Sequence, residues 1–271
     1  MRKDPATLAA VLSRAGFIAA DEEANELLAC AAGNAELLES LVARRLTGEP
    51  LAWITGRVSF CGLEIRVDPG VYVPRWQSEP LARRAVERLP GNGTAIDLCT
   101  GSGAIARTLM SNHPGARVVA SDLDERAVAC ATANGVEVYV GDLFAPLPRA
   151  LEGRADVVVG VVPYVPTPDL PLLQRDTFAF ESTLAYDGGP DGTEILRRVL
   201  TDARQFLRRG GALLLELGGE QAGALRDDLA RPGYIDVSVL VDEDGDVRGI
   251  EATQANHAHL DLESYGVMTD A

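Results

Sequence analysis

From Ala95 through Asp97 and Leu98 to Ala106 the chain runs as a short apolar stretch, a turn holding Gly101 and Gly103, and the opening of a helical pattern. A strand that passes into a helix through so tight a turn cannot return antiparallel beside itself, so the next strand of its sheet lies parallel to it. The same alternation recurs. Extended apolar segments fall at 94–98, 117–121, 136–140, 156–161 and 212–217, with helical patterns after most of them. They predict an α/β fold on a mostly parallel sheet covered on both faces. Further on, 237–241 and 249–253 flank the polar turn from Asp242 to Asp246, which predicts an antiparallel hairpin at the sheet edge.

The chain ahead of this region follows other rules. Residues 5–47 keep Leu8, Val11 and Leu12, then Leu37, Leu38, Leu41 and Val42, at helical spacing, and Asn34 is placed as an N-cap. Two or three short helices are expected. From Gly48 the pattern turns to β-branched and alternating residues: Trp53-Ile54-Thr55, Val58-Ser59-Phe60, then Leu63 to Val67, punctuated by Gly56 and Gly62 and closed by Pro69-Gly70. This reads as a β-hairpin. The expected organisation is a helical domain at 1–50, a hairpin linker at 51–74, a catalytic domain at 75–255 and a loose tail at 256–271.

Charge and composition exclude several classes. With 25 Lys+Arg against 40 Asp+Glu, the net charge of −15 repels a phosphate backbone, and no basic tract offsets it, so no nucleic-acid partner is expected. The first twenty residues imitate a secretory leader, but Asp4 and Arg14 interrupt it, and no stretch approaches the roughly 20 apolar residues of a membrane span. Cys30, Cys61, Cys99 and Cys130 are widely spaced and read as reduced thiols of a cytoplasmic protein. His113, His257 and His259 fall at no zinc-ligand spacing, so no metal is assigned.

The glycine turn implies a ligand, because Gly101 and Gly103 allow close backbone approach and the helix start favours an electron-rich group. Gly101, Gly103 and Ala106 also satisfy a dinucleotide pattern, with Asp122 where a ribose-binding acid belongs. Asp97 separates the two ligands. At the strand end it would repel a pyrophosphate, whereas the DxxxGxG arrangement of methyltransferases puts such an acid near the amino group of S-adenosylmethionine. Asp122 would take the ribose hydroxyls, and Asp142, in Gly141-Asp142-Leu143, the adenine amino group.

With these residues in view the chain resembles the release-factor glutamine methyltransferases, as a divergent paralogue. The resemblance extends over most of the length. It is carried by Gly48-Glu49-Pro50-Leu51-Ala52-Trp53-Ile54-Thr55-Gly56, Phe60 to Glu64, Val73-Pro74-Arg75 with Ser78-Glu79, Glu181, Asp187-Gly188-Gly189 with Asp191-Gly192, and Leu213 to Glu216 with Gly218 and Gln221. It implies a class I S-adenosylmethionine-dependent methyltransferase: a seven-stranded, Rossmann-like sheet behind a small N-terminal helical domain and a hairpin linker. Cofactor contacts are then expected from Asp97, Thr100, Gly101, Gly103, Asp122, Leu123, Asp142 and Leu143, and acceptor contacts from Val162, Pro163 and Tyr164.

The acceptor motif departs from the family pattern, which carries Asn-Pro-Pro-Tyr where this chain has Val161-Val162-Pro163-Tyr164. An amide nitrogen is a weak nucleophile, and in the family the asparagine oxygen and the next carbonyl hold its two hydrogens. Val161 has no acceptor, and Gln205 carries an amide that could replace it. Arg75 and Glu79 read either as a cofactor entrance or as a helix-start ion pair, and Glu181 either as a brace of the acceptor loop or as a cap of Gly188-Gly189. The methyl acceptor is a peptide chain release factor or a small molecule such as a natural product. A non-catalytic binding module and a dehydrogenase are the rival classes.

Overall fold

The computed structural model describes residues 4–173, 180–219, 221–230, 233–242 and 244–255. His257, His259 and the expected tail lie outside them. At the start Asp4 accepts from Ala6 N (3.0 Å) and the Thr7 hydroxyl (2.8 Å), and Pro5 takes the first position of helix α1 (Pro5–Arg14). Helices α2 (Ala20–Ala31) and α3 (Ala35–Leu46) follow, and Asn34 caps α3 by accepting from Leu37 N at 3.1 Å. Leu8, Leu12, Leu27, Leu38, Leu41 and Val42 form their shared core, into which Ile54 also packs.

Trp53-Ile54-Thr55, expected as extended, is helical: α4 (Leu51–Thr55) starts after Pro50 and stops at Gly56 with φ +79°. Three β-branched or aromatic residues are too few to define a period, and tertiary burial decides. Ile54 enters the helical core, while the Trp53 indole donates to Val71 O at 2.8 Å and meets Phe180 edge-on. The hairpin proper is β1 (Arg57–Phe60) against β2 (Leu63–Arg66), joined by Cys61 and Gly62, both at positive φ as a two-residue turn requires.

The large sheet contains β3 (Thr94–Leu98), β4 (Arg117–Asp122), β5 (Glu137–Val140), β6 (Ala155–Gly160), β7 (Leu207–Glu216), β8 (Tyr234–Val241) and β9 (Val247–Gln254). Their order is β5-β4-β3-β6-β7-β9-β8; the first five are parallel and β9 is antiparallel to both β7 and β8. Helices α5 (Glu79–Arg88), α6 (Ala104–Asn112), α7 (Glu125–Ala133) and α8 (Glu194–Phe206) flank it. Strand β7 begins five residues before its expected start of 212, because Leu207 pairs with Ala155 across a bulge before the register settles at Ala212 opposite Val157. Strand order reverses between β3 and β6. Chains leave these two strands in opposite lateral directions, which opens a crevice beyond their carboxyl ends, the usual ligand position of such sheets.

Candidate active site

The glycine turn is bent from beneath. Asp97, 1% exposed, accepts through Oδ2 from the Thr100 hydroxyl at 2.6 Å and from Ala106 N at 3.1 Å, tying the end of β3 to the first turn of α6. Expected beside the cofactor's amino group, it is not among the residues that line the cavity described below. Both contacts are local to the turn, and they draw the carboxylate under it. Burial pushes its pKa up from 3.8 to about 7, with the two hydrogen bonds opposing. Thr100 shares this bracing role, and Thr100 N also donates to Ser121 O at 3.1 Å. Gly103 sits at φ +82°, and a Cβ there would come within 2.9 Å of Val136 Cγ2 and 3.2 Å of Ala131 Cβ. The glycine lets α6 start hard against α7.

Asp122, at the end of β4, behaves otherwise. Its Oδ2 accepts from Gly101 N (2.8 Å) and its Oδ1 from Asp124 N (2.9 Å), so two amides hold the carboxylate at the cavity wall. Burial raises its pKa while these amides lower it. A Cβ on Gly101 would meet nothing nearer than Tyr72 O at 3.9 Å, so the space above the turn is open. Beyond β5, Asp142 pairs with Arg198 of α8 at 2.5 Å. Leu143, at φ +48°, accepts through its carbonyl from the Ser121 hydroxyl at 2.6 Å.

These groups surround a cavity of about 710 Å³. Cys99, Gly101, Asp122, Leu123, Asp142 and Leu143 line it from the strand ends, Gly70, Val71 and Tyr72 from the segment after the hairpin, and Val161 and Pro163 from the end of β6. Of the residues expected at the cofactor, Asp97, Thr100 and Gly103 stand behind the wall rather than in it; of the acceptor residues, Val162 and Tyr164 do. Tyr72 carries no sequence signal, since only its neighbours Val73-Pro74-Arg75 form a pattern. Burial pushes its phenol to about 12, so it stays a neutral hydroxyl.

Behind Tyr72 lies a charged brace. Glu181, 5% exposed, accepts from Val73 N (2.9 Å), from Arg75 Nη2 (2.6 Å) and from the Tyr186 hydroxyl. It joins the segment at 73–75 to the loop at 180–187; Arg75 pairs with it and not with Glu79. Glu79 instead binds Arg83 at 2.6 Å and Cys61 N at 2.9 Å, and the Gly188 and Gly189 amides go to Val165 O and Asp187 Oδ1. The cap and helix-start readings are thereby replaced.

The segment after β6 is gripped from two sides. Val162 is fully buried in the core, and the Tyr164 hydroxyl donates to Glu216 Oε1 at 3.0 Å. Gln221 Nε2 donates to Tyr164 O at 2.6 Å and to Gly192 O at 3.2 Å, and Gln221 Oε1 accepts from Gly218 N. A Cβ on Gly188 would stand 2.7 Å from Tyr164 Cα, and one on Gly192 would overlap Tyr164 O. Gly188 and Gly192 thus let their loop pack directly on the Tyr164 backbone. Among the described residues no cluster of His, Cys, Asp and Glu could hold a metal, and no helix is long and apolar enough to cross a membrane.

A release factor glutamine methyltransferase of Geobacter sulfurreducens is 36% identical over 226 residues, covering 81% of this chain and 76% of that protein. One from Moorella thermoacetica is 39% identical over 246 residues, covering 86% and 83%. The chain belongs to the release factor glutamine methyltransferase family. No protein-family model matches it. Among solved structures, a methyltransferase from Pyrococcus furiosus matches with a TM-score of 0.51 at 20% identity, over 79% of this chain and 98% of that one, which is a likeness of fold. The seven-stranded sheet is that of a class I methyltransferase, and this member of the family is a methyltransferase.

Val161, which stands where the expected acceptor pattern has asparagine, lies on the cavity wall. Gln205 does not replace the lost amide. It is exposed at the end of α8, and its carbonyl accepts from Gly153 N, at the end of the sheet opposite Val161.

Proposed function

We propose that this methyltransferase binds S-adenosylmethionine in the 710 Å³ cavity and methylates the side-chain amide of a glutamine in a peptide chain release factor. One observation carries the reading: Gly101, Asp122 and Asp142 share a single cavity with Val161 and Pro163 of the acceptor segment. The residues present fit the cofactor. The volume falls in the ~300–1,000 Å³ range of small-molecule sites, the open turn above Gly101 admits close approach, and two carboxylates favour hydroxyl and amino donors and a cationic sulfonium.

When bound, the cofactor supplies an already activated methyl group. Asp122 would hold the ribose hydroxyls and Asp142 the adenine end, with Leu123 and Leu143 as apolar walls. Asp97, Thr100 and Gly103 fix the turn on which this rests. On the acceptor side Pro163 would confine the planar amide at the wall and the backbone carbonyl of Val162 would accept one of its hydrogens, with the Tyr164 ring fixing that segment from behind. Positioning of this kind supplies much of a displacement at an activated carbon. The second hydrogen has no side-chain acceptor at Val161. A lost orienting contact of this sort slows a reaction by roughly 10²–10³. That deficit is the observation favouring a second reading, a small-molecule acceptor in the same site.

We assign 1–50 to gripping a protein substrate, 51–74 to the linker and 75–255 to catalysis, in a cytoplasmic enzyme with no membrane or nucleic-acid partner. Asp122→Ala tests the cofactor assignment by calorimetry. Loss of S-adenosylmethionine binding is expected, and an unchanged Kd contradicts the site.

A further inference from the structure

Asp142 does not meet the cavity as a lone carboxylate. Its backbone is pinned: Gly141 N donates to Asp122 O at 2.8 Å, Ala145 N donates to Asp142 O at 3.0 Å, and a Cβ on Gly141 would strike Pro146 at 2.9 Å. Arg198 approaches from α8, three residues after Ile195 and on the same side of the helix, and both line the cavity. Arg198 Nη2 donates to Asp142 Oδ2 at 2.5 Å, and both side chains remain about half exposed. A fixed acceptor and a donor therefore stand side by side, beside the apolar Leu143 and Ile195.

We propose that the Asp142–Arg198 pair is an adenine-specificity element, reading the purine edge with the carboxylate as acceptor and the guanidinium as donor. The inference rests on the cofactor assignment above. Adenine presents an amino donor next to a ring-nitrogen acceptor, the complement of this pair. Hypoxanthine presents the reverse, a carbonyl oxygen next to a ring N–H, so both of its groups meet their like. Without Arg198 the carboxylate alone accepts from the amino group of one base or the ring N–H of the other, and the preference vanishes. An ion pair this exposed stabilises the fold little, so its removal leaves the protein folded.

Calorimetry with S-adenosylhomocysteine and S-inosylhomocysteine tests the pair on the wild type and on Arg198→Met and Arg198→Lys. The wild type is expected to prefer the adenosyl ligand by about 10–100-fold. Arg198→Met should bring the two affinities within about 3-fold of each other, and Arg198→Lys, which keeps a donor, should retain part of the preference. Equal binding of both ligands by the wild type, or an undiminished preference in Arg198→Met with an unchanged melting temperature, overturns the proposal. Failure of the wild type to bind the adenosyl ligand at all overturns the cofactor assignment and the pair with it.

Discussion

Of the three strand-end acids, Asp97 is the one enclosed by protein, and burial governs its titration. Its pKa rises from 3.8 to about 7, so the unfolded chain loses this proton at lower pH than the folded one. The stability it contributes is complete below pH 3.8, is lost as pH rises towards 7, and does not return above that. Asn at this position keeps an oxygen for Thr100 and Ala106 and does not titrate. The melting temperature of Asp97→Asn relative to wild type should therefore increase by roughly 5 °C or more between pH 5 and pH 8. A difference that is flat across that range contradicts the assignment. The sequence places Asp97, Asp122 and Asp142 alike, each at or just beyond the end of an extended apolar segment. Which of them meets the cavity depends on hydrogen bonds in three dimensions that spacing does not encode.

At the scale of elements, the acceptor segment is a short stretch held by a loop rather than by a sheet. Gly192, at φ +73°, brings that loop onto Tyr164 O, and Gln221 bonds both carbonyls. Gly192→Ala must move the loop. Methyl transfer should fall on the order of 10²-fold while the Kd for S-adenosylmethionine changes little, since Gly101, Asp122 and Asp142, assigned to the cofactor, stand at the strand ends and not on this loop. Equal loss of both would place the loop in the cofactor site. Such elements are legible in part. The parallel strands are readable because each holds a short apolar run and most are followed by a helical pattern, and the Asn34 cap because it is local. Glu181 stands out as a motif residue, but its partners Val73 and Arg75 lie more than a hundred positions away and have no periodic relation to it. Arg198 is hidden for the same reason, and Trp53 to Thr55 because three residues do not define a period.

Over the whole molecule, the helical unit has its own core, joined through Leu51 and Ile54, while two further cores cover opposite faces of the sheet. The arrangement places the cavity at the strand ends, between the sheet and the segments at 70–72 and 182–187. A net charge of −15 favours a cationic partner and weakens that attraction as salt rises. The most direct measurement is transfer of label from methyl-labelled S-adenosylmethionine to a purified release factor, with the modified residue mapped by mass spectrometry and Val161→Asn run alongside. Label on one glutamine side-chain amide, with a faster rate in Val161→Asn, is the predicted result. Label absent from the protein and present in a small-molecule fraction of the host lysate contradicts the release-factor assignment.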